Sequence, residues 1–201
     1  SDKTFLLKDK KVTPYKRKPY PPFTTSSLQQ EAFSKLGFST TKTMSVAQRL
    51  YEGMEVPGEG PVGLITYMRT DSVAISDIAK QNAKDYLATN FGDKYIATTN
   101  YGFKSKAGAQ EAHEAIRPTN IMHNPDSLRN VLSKDEHALY GLIWKRFLAS
   151  QMSEAQYERT KIEFKLEEYE FSVTGSRLLF DGFMKVYPEK SNEENVPDVG
   201  N

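Results

Sequence analysis

Tyr67 and Arg69 stand two positions apart in the segment GLITYMRTDS, Gly63 to Ser72. In an extended segment, side chains at i and i+2 share a face. Helical spacing would set them about 200° apart. Val62, Ile65, Thr66 and Tyr67 favour extended geometry, and the glycine-bearing stretch before them breaks a helix. A phenol held beside a guanidinium has a defined chemical use. The hydroxyl attacks a phosphodiester while the planar, permanently charged arginine binds the non-bridging oxygens. An ordinary phenol has a pKa of about 10, so attack at neutral pH needs a proton acceptor or strong electrostatic help. A lone Tyr-x-Arg is more often a surface arginine beside a packing tyrosine. With eleven tyrosines in the chain, this pair needs support from elsewhere.

The elements that would position the pair are helical in the middle of the chain and extended at both ends. Ser26 with Gln29, or Ser27 with Gln30, predicts a capping box opening a helix that Gly37 closes. A second helix is expected from about Thr41 to Glu52, with Met44, Ala47, Leu50 and Tyr51 on one face and Gly53 as its stop. The Gly37-Phe38-Ser39 turn between them reads as helix-turn-helix. Gly53 to Pro61 is Gly/Pro-rich and predicts a surface hairpin. A third helix is expected over Ser76 to Asn90. A fourth opens at Ser133 and Glu136 and buries Leu139, Leu142, Ile143 and Phe147. Strands are expected over Phe5 to Lys8, Lys11 to Lys18, Tyr157 to Leu166, Tyr169 to Thr174 and Leu178 to Tyr187, with turns at Thr174-Gly175 and Asp181-Gly182. The acidic tail from Glu189 reads as disordered. The expected fold is α+β, a mainly helical domain inserted into a small antiparallel β domain built from both chain ends. Its divisions fall at 1–21, 22–151, 152–188 and 189–201.

Composition narrows the function classes. Two hundred and one residues suffice for a packed core. No run approaches the ~18 apolar residues of a membrane span, so a cytoplasmic protein without membrane contact is expected. The absence of cysteine rules out a disulfide framework or thiolate zinc site within these residues. Net charge is only +1, yet residues 1–20 carry seven Lys/Arg against two Asp, and residues 151–201 six against eleven Asp/Glu. The basic start suits either a solvated strand face or phosphate contact. Ends of opposite sign would attract if both belong to one sheet.

Three stretches bring a family into view. ITYMRTDS within Gly63–Ser72, PPFTTSSLQQEA from Pro21 to Ala32, and QEAHEAIRPT from Gln110 to Thr119 together resemble the type IA DNA topoisomerases, in the family's order. The resemblance implies that Tyr67 attacks a single-stranded or underwound DNA phosphodiester, leaving a 5′-phosphotyrosyl link and a free 3′-hydroxyl. The bond energy stays in that link, so negative supercoils are relaxed without ATP. Arg69 would stabilise charge on the attacked phosphate. His113, expected in a short helical stretch, would share a proton with the phosphate or the leaving oxygen. Arg117, four residues on, would join it on one helical face as a phosphate grip. Gln48 and Glu52 share a face of the helix before the tyrosine and would help position it. Thr66, Asp71 and Ser72 would shape the turn.

The resemblance also implies a β-strand arch carrying the tyrosine domain, and magnesium held by an Asp-x-Asp-x-Glu cluster. No Asp-x-Asp occurs here, so no metal ligand is expected in this chain. It reads as a piece of a longer enzyme that works with the remaining domains of the same polypeptide. Two alternatives stand beside this one. A helix-turn-helix DNA-binding module would read bases through Lys42, Gln48 and Arg49, which is thin and leaves the other motifs unexplained. A tyrosine recombinase would carry His-x-x-Arg, whereas the spacing here is His113-x-x-x-Arg117.

Overall fold

The computed structural model describes residues 5–105, 107 and 113–189. In chain order the elements are β1 (Leu6–Arg17), α1 (Thr25–Leu36), α2 (Thr40–Glu52), β2 (Met54–Val56), β3 (Gly60–Val62), α3 (Asp77–Asn90), α4 (Lys134–Ser150), β4 (Ala155–Leu166) and β5 (Tyr169–Phe180). The α+β class and the insertion of the helices between terminal strands are as expected. β4 is the middle of a three-stranded antiparallel sheet, with β1 from the other end of the chain on one side and β5 on the other.

Helix α4 is the axis of the helical part because its apolar positions run nearly all round it. Leu139, Tyr140, Ile143, Trp144, Phe147 and Leu148 are all buried, the pattern of a helix packed on several sides. It starts at a capping box in which Ser133 and Glu136 satisfy each other's backbone N–H groups. The same Glu136 carboxylate takes a hydrogen bond from Arg49 Nε (3.1 Å), which ties α2 to the start of α4. Burial alone would raise the Glu136 carboxyl, but the Ser133 N–H, the Ser133 hydroxyl and Arg49 outweigh it and hold the group below its usual range. Helix α3 joins through Ala79, Ala83 and Leu87, and through Tyr86, whose ring meets Trp144 edge-on at 5.5 Å.

Several local expectations give way to the tertiary structure. Helix α1 is capped by Thr24, whose side chain exchanges bonds with Ser27, ahead of both expected caps, Ser26 and Ser27. The two N-terminal segments are one continuous strand, because β1 pairs along β4 from Leu6 to Arg17. Pro14 is tolerated there because β1 is an edge strand. Thr174-Gly175 is not a turn. Gly175 pairs with Thr160 inside the ladder and β5 runs through it, while the chain reverses at Glu167, whose φ is 55°. The expected strand Leu178–Tyr187 ends at Phe180 and continues as a 3-10 turn, Gly182–Lys185. Gly182 has φ 50°, and a β-carbon there would stand 2.4 Å from the Glu154 carbonyl oxygen, so no other residue fits.

The oppositely charged ends do meet. Lys8 pairs with Glu170, Lys16 with Glu154 at 3.8 Å and Arg17 with Glu189 at 2.6 Å. Glu189 is therefore anchored, and the rest of the expected disordered tail lies outside the described residues. No helix among the described residues is long and apolar enough to cross a membrane.

Candidate active site

The segment carrying Tyr67 belongs to no ladder. It is a single extended run held from three directions. The Leu64 N–H donates to the Leu50 carbonyl at the end of α2 (2.8 Å), and the Thr119 N–H donates to Leu64 (3.0 Å). The Thr66 N–H donates to the Arg117 carbonyl (2.9 Å), and the Thr25 N–H to the Thr70 carbonyl (2.9 Å). Ile65 forms an isolated antiparallel bridge with Pro118, and Phe23 another with Ile116. The described parts of the three stretches singled out in the sequence thus lie side by side. Gly63 makes the tight join to α2, where a β-carbon would stand 2.8 Å from the Tyr51 carbonyl oxygen.

Within the run, burial alternates with period two. Tyr67 is 47% exposed and Arg69 is exposed, while Met68 (1%) and Thr70 (7%) face the core. Tyr67 and Arg69 therefore share the solvent side. The Tyr67 ring leans on Tyr51 at 5.3 Å between centroids. Tyr51, expected on the buried face of α2, is instead 40% exposed. Arg69 forms no ion pair with Asp71 or with any other described residue. After the pair, the Thr70 hydroxyl accepts from the Ser72 N–H (3.0 Å) and the Ser72 hydroxyl from the Ala74 N–H (3.0 Å). These two local turns bend the chain toward α3.

Comparison with known proteins decides what this arrangement belongs to. A family model described as DNA topoisomerase, of bacterial type, matches residues 1–201. The chain belongs to the type IA DNA topoisomerase family. It is 46% identical over 194 residues to DNA topoisomerase 1 of Thermotoga maritima, covering 96% of this chain and 30% of that protein. It is 51% identical over 182 residues to DNA topoisomerase 1 of Rickettsia felis, covering 89% of this chain and 23% of that one. The solved full-length topoisomerase I of Thermotoga maritima superimposes with a TM-score of 0.84 at 44% identity, over 98% of this chain and 32% of the other. The chain spans about a third or less of the length of these relatives.

In this topoisomerase-family chain the other expected site residues fall as follows. His113 is exposed, and the segment from it to Thr119 is extended rather than helical. The bridges of Ile116 to Phe23 and Pro118 to Ile65 override the helical propensity of Glu-Ala-Ile. The residues before it, Gln110 to Ala112, lie outside the described residues. His113 and Arg117 therefore do not form a grip on one helical face. Arg117 points inward, only 14% exposed at the side chain, and donates to Glu114 (2.7 Å) and to the Pro118 carbonyl (3.1 Å). Glu114 also accepts from the Ser76 N–H at the start of α3 (2.7 Å). Burial would raise the Glu114 carboxyl, but Arg117 and Ser76 together hold it below the usual range. Arg117 and Glu114 thus fasten the His113 segment to α3. Gln48 and Glu52 share a face, as expected, and bond each other at 2.6 Å.

Among the described residues no three His, Cys, Asp or Glu side chains cluster to hold a metal ion. Thr66, expected to shape the turn after the pair, binds the His113 segment instead, and Thr25 was not picked out by its own chemistry. Thr66 donates to the Ala115 carbonyl (2.7 Å) and accepts from the Arg117 N–H (3.0 Å). Thr25 is bonded on both sides of Arg69. The only signal for Thr25 was its place within the PPFTTSS stretch.

Proposed function

We propose that this chain is the tyrosine-bearing portion of an enzyme that cuts and reseals one strand of single-stranded or underwound DNA, relaxing negative supercoils without ATP. The supporting observation is the Tyr67–Arg69 pair itself. The two side chains stand outward together, neither hydrogen-bonded nor ion-paired to a described residue, on a backbone run held by the other two family stretches. In the step proposed, Tyr67 Oη forms a bond to phosphorus as the bond from phosphorus to the 3′-oxygen breaks. The phenolic proton is lost from Tyr67, and the leaving oxygen takes up a proton to become a 3′-hydroxyl. Arg69 holds the non-bridging oxygens as charge builds on them. Resealing is the reverse, and one phosphoester replaces another throughout. His113 lies on the segment pinned beside Thr66 and serves proton transfer at the phosphate or the leaving oxygen. Residues 22–151 form the tyrosine domain and the flanking strands, 1–21 and 152–188, part of its arch. The described residues offer no cluster of side chains that fits a magnesium site. Its carboxylates belong to the remaining domains of the polypeptide, and no step here runs through the ion.

The helix-turn-helix reading loses its support at α2. Lys42 is paired with Asp135 at 3.0 Å, Arg49 with Glu136, and Gln48 with Glu52, so the side chains that would read bases are engaged within the fold. The discriminating test is a denaturing gel after incubation with single-stranded oligonucleotide and magnesium. The full-length polypeptide gives an adduct that holds the 5′-phosphate side of the cut and releases a 3′-hydroxyl fragment. The 201-residue chain alone gives none, because the magnesium-binding carboxylates and the opposing wall of the DNA groove belong to the remaining domains. Efficient adduct formation by the chain alone, or an adduct through a 3′-phosphate, would overturn the assignment.

Arg69→Lys lowers the single-turnover cleavage rate by the equivalent of about 2–4 kcal/mol, the scale of losing one oxyanion donor. An ammonium offers a point charge where the guanidinium offers a planar fork. Cleavage at close to the wild-type rate in this variant would leave Arg69 as a surface charge only.

A further inference from the structure

The stretch PPFTTSSLQQEA has so far supplied neighbours without a task, and one of its side chains is placed where the proposed reaction needs rigidity. Thr25, at the first position of α1, donates from Oγ1 to the Met68 carbonyl (2.7 Å) and accepts at Oγ1 from the Thr70 N–H (2.8 Å). The Thr70 carbonyl lies 3.1 Å from the same oxygen, and the Thr25 N–H donates to it (2.9 Å). Met68 and Thr70 flank Arg69, so one hydroxyl holds the peptide groups on either side of the arginine. Met68 and Thr70 are themselves buried, which denies water as a substitute partner. Arg69 makes no ion pair among the described residues, so among them its backbone anchorage is what sets where its guanidinium starts from. We infer that Thr25 is a positioning residue for Arg69, setting the fork against the phosphate that Tyr67 attacks.

The placement rules out simpler roles for this hydroxyl. Thr24, not Thr25, supplies the α1 cap. Helix α1 needs nothing from Thr25 Oγ1, since a first-turn side chain has no intrahelical duty once the cap is made. The hydrogen bonds this hydroxyl makes within the described fold all go to a segment more than forty residues away. Loss of the hydroxyl leaves the Thr70 N–H buried without an acceptor and frees the Met68 carbonyl. The peptide planes beside Arg69 then rotate to find other partners, and the guanidinium moves with them. Misplacement on the ångström scale costs about a hundredfold in rate when reacting groups must be aligned.

The inference rests on the proposed transesterification at Tyr67, and the test separates the two. Thr25→Val and Thr25→Ser are made in the full-length polypeptide, singly and in an Arg69→Lys background. Single-turnover cleavage of an end-labelled single-stranded oligonucleotide is measured together with its Kd and the melting temperature. Thr25→Val lowers cleavage by about tenfold to a hundredfold while Kd is unchanged within about twofold. Thr25→Ser, which keeps the hydroxyl, restores the rate. In the Arg69→Lys background Thr25→Val adds little, because residues that act through one another are not additive. Wild-type cleavage by Thr25→Val overturns the inference. So does an equal fold-loss in the Arg69→Lys background, or a Thr25→Ser variant as slow as Thr25→Val. Absence of any adduct from the unmodified polypeptide would overturn the Tyr67 reading itself, and this inference with it.

Discussion

Tyr67→Phe in the full-length polypeptide abolishes covalent adduct formation and relaxation of supercoiled DNA, and leaves folding and DNA binding nearly unchanged. The substitution removes one hydroxyl and keeps the ring. That ring is half in solvent and touches Tyr51 through its face or edge rather than through the oxygen. No hydrogen bond within the described fold uses the Tyr67 hydroxyl, so none is lost and no buried partner is stranded. The loss of rate is complete because a phenyl ring offers no atom to bond to phosphorus. Neighbouring Tyr51 is an internal control. It is exposed and adjacent, and if adduct persisted in the Phe variant with Tyr51 as its attachment point, the nucleophile would have been misassigned. A supercoil-relaxation assay and peptide mapping of the trapped adduct decide the matter.

The largest stability effect is expected far from that surface, at Arg146. This arginine is buried near the C-terminal end of α4. Its Nε donates to the Pro21 carbonyl (2.7 Å) and its Nη1 to the Tyr187 hydroxyl (3.2 Å). The guanidinium carbon lies 4.6 Å from the Phe23 ring centre, 4.8 Å from that of Tyr20 and 5.2 Å from that of Tyr187. Tyr187 in turn donates to Glu31 on α1 (2.6 Å). Burial first, then the Glu31 carboxylate, pushes the Tyr187 phenol upward, so it remains a donor throughout the physiological range. A buried charged hydrogen bond contributes about 1.5–3 kcal/mol and a desolvated cation over aromatic faces about 2 more. Arg146→Ala therefore destabilises the fold by about 3–5 kcal/mol, a large share of a typical domain's stability. Arg146→Lys recovers only part of this, since an ammonium does not span both partners in one plane. Urea unfolding of the two variants against wild type measures both losses. Equal stability of Arg146→Ala and wild type would show that the rings pack as well without the cation.

Neither Arg146 nor Thr25 was visible in the sequence as anything but a polar residue, and the reason is physical. Their partners lie 125 and 45 positions away respectively, and nothing in local spacing records a contact made only by the folded chain. What local chemistry does record was legible. Ser133 and Glu136 announced α4, Gly37 and Gly53 ended α1 and α2, and the Gly/Pro-rich stretch gave the β2–β3 hairpin. The outward alternation of Tyr67 and Arg69 followed from β-forming neighbours alone. Local signals failed where long-range pairing was stronger. Gly175 carries a turn signal that ladder pairing to Thr160 overrides. The His113 segment carries helical propensity that its bridges to two other stretches override. The corrected boundaries of β1 and β5 fall in the β-sheet, where the deciding partner sits on another part of the chain.

The contacts around Arg146 also decide how a load would travel through the molecule. The chain passes between strands and helices at Pro21, after β1, and again ahead of β4, and the turn after β5 returns to the helices at Tyr187. Arg146 grips the first and third of these passages directly. Force applied at the distal end of the sheet is thus shared among three parallel anchors and does not fall on a single flexible tether. From Leu6 to about Val12 every residue of β1 is exposed, and β5 from Tyr169 to Thr174 is likewise exposed on both sides. Packing constraints are thus fewest in that bare outer sheet and densest in the helical part that holds the Tyr67 run.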